Sequence, residues 1–324
     1  MTFDIDGFCR RYLDEWDRRA TVRTRQRTRF TGQSSAHEMF PAALAPVLAH
    51  PEIARLGEAA GRELLVHLAY DFQKGVATIE ADLVAGLCSG LAGAEMGIAL
   101  PDSLREVALT IATDELYHAY VAREFVGDVE RHTGIVPTPV DPGDQTIMQA
   151  VAYVRDNAPA AIRRQAETMA LCFAENTITE ELFGMSRDTA ADGPFHTVVR
   201  EHLVDEGRHQ IFFQMLMRHM WAEVDEETRS ALGRLMPGFF DIFLFSGGAY
   251  MDRQAIQLGR LGVDPEAARR IVAEAFTPPA GMPAPTRSTW RFAQRPMNLV
   301  RIAGIADHPP TRALLVDAGW IAPA

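Results

Sequence analysis

Cysteine is scarce in this 324-residue chain: Cys9, Cys88 and Cys172 are all it has, and no two stand at C-x-x-C spacing. That excludes a disulfide framework and a Cys-ligated iron–sulfur or zinc site, so the three read as reduced, buried thiols. Basic charge is also short. A net charge of −11 and a pI near 5.4 argue against nucleic acid as the main partner, since phosphate binding requires a basic surface. The one basic stretch, Arg18 to Arg29 with six arginines, reads as an exposed, solvated amphipathic segment rather than an RNA or membrane site. Long apolar runs are missing as well. The stretch from Leu83 to Ala94 is short and is followed by Glu95, and that from Phe239 to Tyr250 contains Asp241, so neither spans a membrane. The opening MTFDIDGFCRRYLDEW lacks the apolar core of a secretory signal, and a cytoplasmic protein is expected. No G-x-G-x-x-G unit offers a flavin or nicotinamide site.

Alternating β-branched runs are absent too, and helical periodicity takes their place, so the fold class is all-α. With 47% hydrophobic residues the chain can bury a sizeable core. We expect a single domain over 1–324, with metal-binding helices at about 52–224 and a C-terminal helical extension at about 226–324. A leading helix is expected over 1–30, and the Phe40-Pro41 to Pro46 segment is a proline-punctuated loop. A long helical region then opens near Pro51 and runs to about Gly97. Asp102 or Ser103 caps the next helix, which ends at Thr133-Gly134. A Pro, Asp and Gly-rich crossover at 135–144 leads to helices over 146–156 and from Pro159 to about Arg187. A break at 190–193 precedes a long helix through Val224. Further breaks are expected at Pro237-Gly238, at Gly247-Gly248, at 262–265 and in the proline-rich linker 277–285. A last helical segment, 288–305, is kinked at Pro296, and a terminal one follows Pro309-Pro310.

Two copies of one pattern stand out in this helical sequence: Asp114-Glu115-x-x-His118 and Asp205-Glu206-x-x-His209. Residues three apart are neighbours on a helix, so each Glu-x-x-His pair grips one ion without a loop. Di-iron bundles combine two such pairs with a lone Glu from each of two other helices. Glu80 shares an apolar stripe with Val76, Leu83 and Leu87, and Glu175 shares one with Leu171, Ile178 and Leu182, while Glu180 and Glu181 fall toward solvent. His202 lies one turn before Glu206 on the face that carries Val199, His209 and Phe213. The candidate ligands are therefore Glu80, Glu115, His118, Glu175, His202, Glu206 and His209.

Burying one unpaired carboxylate costs several kcal/mol, and four would cancel the roughly 5–15 kcal/mol that is a domain's net stability. Two divalent cations offset those charges. Oxygen and nitrogen donors without thiolate suit iron first and manganese second. Metal-bound histidine usually donates its other ring N–H to a carboxylate, so Asp114 is expected to pair with His209 and Asp205 with His118. A lone Glu-x-x-His is weak, because surface helices abound in such pairs; two D-E-x-x-H copies among ten histidines are far less ordinary. His37, His50, His67, His132, His196, His219 and His308 read as structural or exposed.

On these residues the chain resembles the para-aminobenzoate N-oxygenase family, ferritin-like di-iron enzymes that oxidise aromatic amines in natural-product pathways. The order of one Glu, Glu-x-x-His, one Glu and His-x-x-x-Glu-x-x-His falls on the seven residues named, and His202 is the histidine that sets the family apart. The Phe40-Pro41 loop and the segment from Asp307 to Arg312 share its flavour more weakly. The resemblance implies a ferritin-like helical bundle with a di-iron site in its core and dioxygen as co-substrate. It implies that Glu80 and His118 bind one iron, that Glu175, His202 and His209 bind the other, and that Glu115 and Glu206 bridge. It implies an amine carried through hydroxylamine and nitroso to nitro; a homodimer is expected for the chain. Electrons must come from an external donor such as a ferredoxin or reductase, since the chain has no redox site of its own.

A carboxylated arylamine would call for an arginine, and Arg287, Arg291, Arg295 and Arg301 are the candidates. Phe72 stands where the aminobenzoate-type enzymes are expected to carry a tyrosine, which argues against free aminobenzoate. Phe239, Phe240, Phe243 and Phe245 are pocket or plain core. Two rivals keep the metal site but change the activity: C-hydroxylation or desaturation of another substrate, and ferritin-type iron handling without catalysis.

Overall fold

A computed structural model describes residues 4–32, 39–93, 96–139, 141–186, 193–245, 248–277 and 286–323. They are all-α, with no strand among them. In chain order the helices are α1 (Ile5–Arg19), the short α2 (Thr21–Thr24) and α3 (Pro51–Ala54), α4 (Glu58–Ile79), α5 (Ala85–Gly93), α6 (Asp102–Thr133), α7 (Thr146–Asn157), α8 (Arg163–Ser186), α9 (Pro194–Glu223), α10 (Glu226–Phe240), α11 (Gly248–Arg260), α12 (Pro265–Ala275), α13 (Gln294–Ile302) and α14 (Pro309–Asp317). Helices α4 and α5 form one rod, joined by a π-helical turn at Glu80–Val84. This rod packs on α6, and α8 packs on α9. Contacts of α6 with α9 and of α5 with α8 close the bundle, and α1 lies over both α6 and α9. Apolar faces such as Leu104, Val107, Ala108 and Ile111 of α6 and Phe212, Phe213 and Leu216 of α9 fill the centre. Cys9, Cys88 and Cys172 are free and buried.

The α4–α5 rod, Glu58–Gly93, is long and apolar enough to cross a bilayer by composition, yet 56% of its apolar window is buried against the protein. Its apolar face is thus already covered by protein, as in the core helix of a bundle.

Several boundaries differ from those read in the sequence, each for a local reason. The leading helix ends at Arg19 because Ala20 is extended (ψ 134°), which turns the chain so that Thr21 enters the core. Neither Asp102 nor Ser103 caps α6; Ser103 instead donates to Asp6 of α1 at 2.6 Å. The C-terminus of α6 matches its signal, with Gly134 left-handed at φ 71°. Pro237 does not break α10, and the helix continues into a π-helical stretch at Asp241–Phe245. Tertiary packing overrides the breaker there: a Cβ on Gly238 would meet the Tyr153 ring, and one on Gly233 would meet Thr311. Pro296 falls in the first turn of α13, where no N–H is needed, so it opens that helix instead of kinking it. The expected breaks at 190–193 and 247–248, the linker 277–285 and His37 lie wholly or partly outside the described residues. So do the side chains of Ile178, Glu180, Glu181 and Arg291.

The C-terminal helices are tied to the bundle through Gln257 of α11, which donates to Asp71 of α4 at 2.8 Å and accepts from Thr138. Burial pushes the Asp71 carboxyl up from its ordinary 3.8 to about 6, the Gln257 hydrogen bond only partly opposing it. Because the folded pKa exceeds the unfolded one, the charged form penalises folding increasingly as pH rises from 4 through 6. Asp71→Asn is expected to stabilise the protein by on the order of 2 kcal/mol at pH 7.5 and to be neutral near pH 4. Urea melts at the two pH values check this; an equal effect at both would refute it.

Candidate metal centre

The π-helical turn at Glu80–Val84 is the first local feature that builds the site. A π-turn inserts one extra residue into the helical register and often marks a functional position. Here it carries Glu80, 3% exposed, toward α9. Helices α6, α8 and α9 supply the other six groups from their buried faces: Glu115 and His118, Glu175, and His202, Glu206 and His209.

All seven side chains converge. Glu80, His118, His202 and Glu206 offer ligand atoms within 4.8 Å of one another, and so do Glu115, Glu175, Glu206 and His209. Glu206 belongs to both groups. Its Oε1 lies 3.1 Å from His202 Nε2, 3.2 Å from His209 Nδ1 and 3.7 Å from His118 Nδ1. Glu115 Oε1 sits 2.7 Å from His209 Nδ1, while its Oε2 lies 3.9 Å from His118 Nδ1. One assignment is corrected: His202 stands with Glu80 and His118, not with Glu175 and His209. Its Nε2 lies 2.6 Å from Glu80 Oε1, and its ring is 4.1 Å from that of His118. One turn along α9 moves it past Glu206 to the side that faces the π-turn.

The electrostatics of the cluster ask for cations. Burial pushes the Glu80 carboxyl up to about 7 despite the neighbouring His202, and it pushes Glu175 well above the usual range with Glu115 and Glu206 adding to the effect. Glu80 Oε2 and His118 Nδ1 are buried with no hydrogen-bond partner. Unsatisfied buried groups are costly, and their lone pairs point into one small volume. The chemistry of the set, carboxylate oxygen and imidazole nitrogen without sulfur, fits iron or manganese and not a closed structural zinc site.

Outside the cluster, His118 Nε2 lies 3.0 Å from Asp205 Oδ2, and His209 Nε2 lies 3.2 Å from Asp114 Oδ2. An imidazole nitrogen facing a carboxylate carries the proton, so each Nδ1 keeps its lone pair for the cluster. Three residues that sequence reasoning missed hold this layer, and a fourth, Tyr12, packs beside it. Trp16 Nε1 donates to both oxygens of Asp114 at 2.9 and 3.0 Å. Thr21 donates to Asp205 through its backbone N–H at 3.2 Å and through its hydroxyl. Arg208 donates to Asp205 at 2.6 Å and reaches Asp114 at 3.4 Å. Tyr12 is buried beside Arg208 and His209. Burial alone would raise the Asp205 carboxyl, but His118 and Thr21 hold it well below the usual range. The Glu-x-x-His spacing contains no signal for Trp16, Thr21 or Tyr12, because Tyr12 and Trp16 arrive from α1 and Thr21 from α2.

The chain belongs to the P-aminobenzoate N-oxygenase AurF family. That family's model matches residues 14–275, which takes in Trp16, Thr21 and every member of the cluster. No curated protein matches the chain. The family is one of oxygenases, and the chain is accordingly an enzyme whose buried Glu and His groups are able to hold metal.

Phe72, Arg287, Arg295 and Arg301 do not line the opening to the cluster. A cleft reaches His118 and His202 from the surface between Thr21, Arg25, Gln73, Tyr117, Val121, Ala122, Val198 and Glu201. Phe72 does not line it. Its ring packs 5.8 Å from Phe195 in an apolar cluster, because it projects one position away from the cleft-lining Gln73. Arg287 is bound to Asp241 at 2.5 Å and stacks on Phe245, which leaves it at the C-terminal surface. Arg301 is exposed and Arg295 half-buried, and neither lines the cleft. Phe239 and Phe240 are fully buried core. The arginine that does line the cleft is Arg25, 3.9 Å from Glu201.

Proposed function

We propose that the chain is a di-iron, dioxygen-dependent N-oxygenase that oxidises an aromatic amine to hydroxylamine, nitroso and nitro products. The observation that supports this reading best is the pair of buried Glu/His groups sharing Glu206, in a chain of the family named above. Glu80, His118 and His202 would hold one iron and Glu115, Glu175 and His209 the other, with Glu206 belonging to both groups. When bound, the iron pair supplies the dioxygen chemistry. The protein's share is positional. Asp205 and Asp114 keep His118 and His209 in the tautomer that presents Nδ1 inward. Val121, Ala122 and Val198 give the cleft an apolar wall against which an aryl ring packs and water is excluded. Gln73 and Tyr117 offer polar contacts at the same opening.

The Arg25–Glu201 pair bears on the substrate. With its guanidinium already matched by a carboxylate, the mouth of the cleft is close to neutral, which favours an arylamine whose far end is uncharged or zwitterionic over a free benzoate. Anaerobic ferrous loading followed by labelled dioxygen and a panel of arylamines tests the proposal by mass spectrometry. Label is expected on nitrogen, most from the uncharged amines. Label on carbon instead would favour a hydroxylase, and iron uptake far beyond about two per chain would favour iron storage.

A homodimer is part of the proposal. Leu109, Leu116 and Tyr120 stand 52%, 55% and 52% exposed at i, i+7 and i+11 along one outward stripe of α6, and Val204 and Ile211 repeat the pattern on α9. Such a stripe is unfavourable in water and suits a second copy.

A further inference from the structure

The two aspartates behind the histidines sit in matched places, yet the structure supports them differently. Asp205 is held by Thr21 and Arg208, groups that carry no oxidisable ring. Asp114 is held by an indole. Trp16 is half-buried, so one edge packs on the core while the other meets solvent, and its Nε1 touches both oxygens of Asp114. From there the chain of contacts is short: 3.2 Å from Asp114 Oδ2 to His209 Nε2, and His209 Nδ1 faces Glu115 and Glu206. Two hydrogen bonds, one carboxylate and one imidazole thus separate the indole from the cluster. Electronic coupling decays more slowly through such a bonded path than across unbonded gaps.

The surface around Trp16 is the basic stretch, of which the cleft itself uses only Thr21 and Arg25. Residues 18–29 carry six arginines and no acidic residue, in a chain of net charge −11. Arg23 lies over the Trp16 ring at 5.2 Å. Arg18, Arg19, Arg23, Arg25 and Arg29 are exposed. Arg19 and Arg23 pair with Glu15 and Asp17 of α1 at 3.0 and 3.2 Å, exposed pairs that exchange readily with a partner's carboxylates.

We infer that Trp16 marks the docking point of an acidic one-electron donor protein and that Trp16, Asp114 and His209 form the path of electron delivery. This rests on the di-iron reading. In each encounter the donor's reduced [2Fe–2S] cluster loses one electron and one ferric ion becomes ferrous; two encounters reduce the pair, with no bond broken and no proton carried. Opposite charge speeds the encounter and makes it salt-dependent.

The test uses the iron-loaded full chain with a plant-type [2Fe–2S] ferredoxin as probe and dithionite as the small-molecule control. Trp16→Phe, compared with the parent at equal iron content, is expected to be slowed at least tenfold more with ferredoxin than with dithionite. Arg23→Glu, which leaves the path intact, is expected to weaken ferredoxin binding in calorimetry several-fold at low salt and to flatten its salt dependence. An unchanged ferredoxin rate per bound iron in Trp16→Phe, an equal slowing with both reductants, or unchanged ferredoxin binding by Arg23→Glu at low salt would each overturn the inference. Failure of the parent chain to bind iron would instead overturn the di-iron reading beneath it.

Discussion

Glu206→Ala is expected to lose iron from both halves of the cluster, where Glu80→Ala loses it chiefly from one. The difference follows from geometry. Glu206 Oε1 is the atom within 3.7 Å of all three imidazoles, and Glu206 alone belongs to both ligand groups among the described residues. Glu80 contacts only the half with His118 and His202. Removing even an outer-shell partner typically costs 10–100-fold in metal affinity, so loss of the shared carboxylate should exceed about a hundredfold, and turnover should fall with it. Metal analysis after dialysis against a weak chelator measures the loss. Retention of about two irons per chain by Glu206→Ala would remove the central support for the shared-carboxylate arrangement.

Arg208→Met should be strongly destabilising. The guanidinium is about 10% exposed and lies between two fully buried aspartates. Breaking a buried ion pair from one side costs about 3–5 kcal/mol, because the charge left behind has no water to replace its partner. Methionine keeps much of the packing volume, so the loss reports charge. The remaining partners of Asp205, Thr21 and His118, keep it ionised; His118 should then be drawn to hold its second proton, which competes with metal. Arg208→Met is expected to melt lower and to bind iron more weakly, whereas Arg208→Lys should restore part of both. A variant with parental stability would show that Arg208 adds no net stability to the aspartate pair.

Much of this site was legible in the sequence because its information is local. Glu-x-x-His puts two groups on one helical face wherever the helix lies, and an apolar stripe broken by Glu80 or Glu175 says that the glutamate enters the core. The cross-pairs of Asp114 with His209 and Asp205 with His118 followed from the same spacing. The π-turn at Glu80 was not legible, since nothing in the composition of Glu80–Val84 distinguishes it from ordinary helix; the extra residue is held by packing between α4, α5 and α6. Pro237 misled for a related reason, because helix propensity is a weak prior where close contacts such as those of Gly233 and Gly238 decide. The surroundings of the substrate arginines were not legible either. Arg287 has the charge for the role, but its own surface partner Asp241 takes it.

By itself the sequence determined the helical class and the buried carboxylates and histidines, because periodicity and spacing are properties of a single helix. Tertiary structure alone decided that His202 joins Glu80, that Arg25 and not Arg287 lines the cleft, and that Trp16 stands behind Asp114, 98 residues away. Those outcomes depend on how separate helices are placed against one another, and that placement is set by the packing of the whole core, which no local pattern encodes.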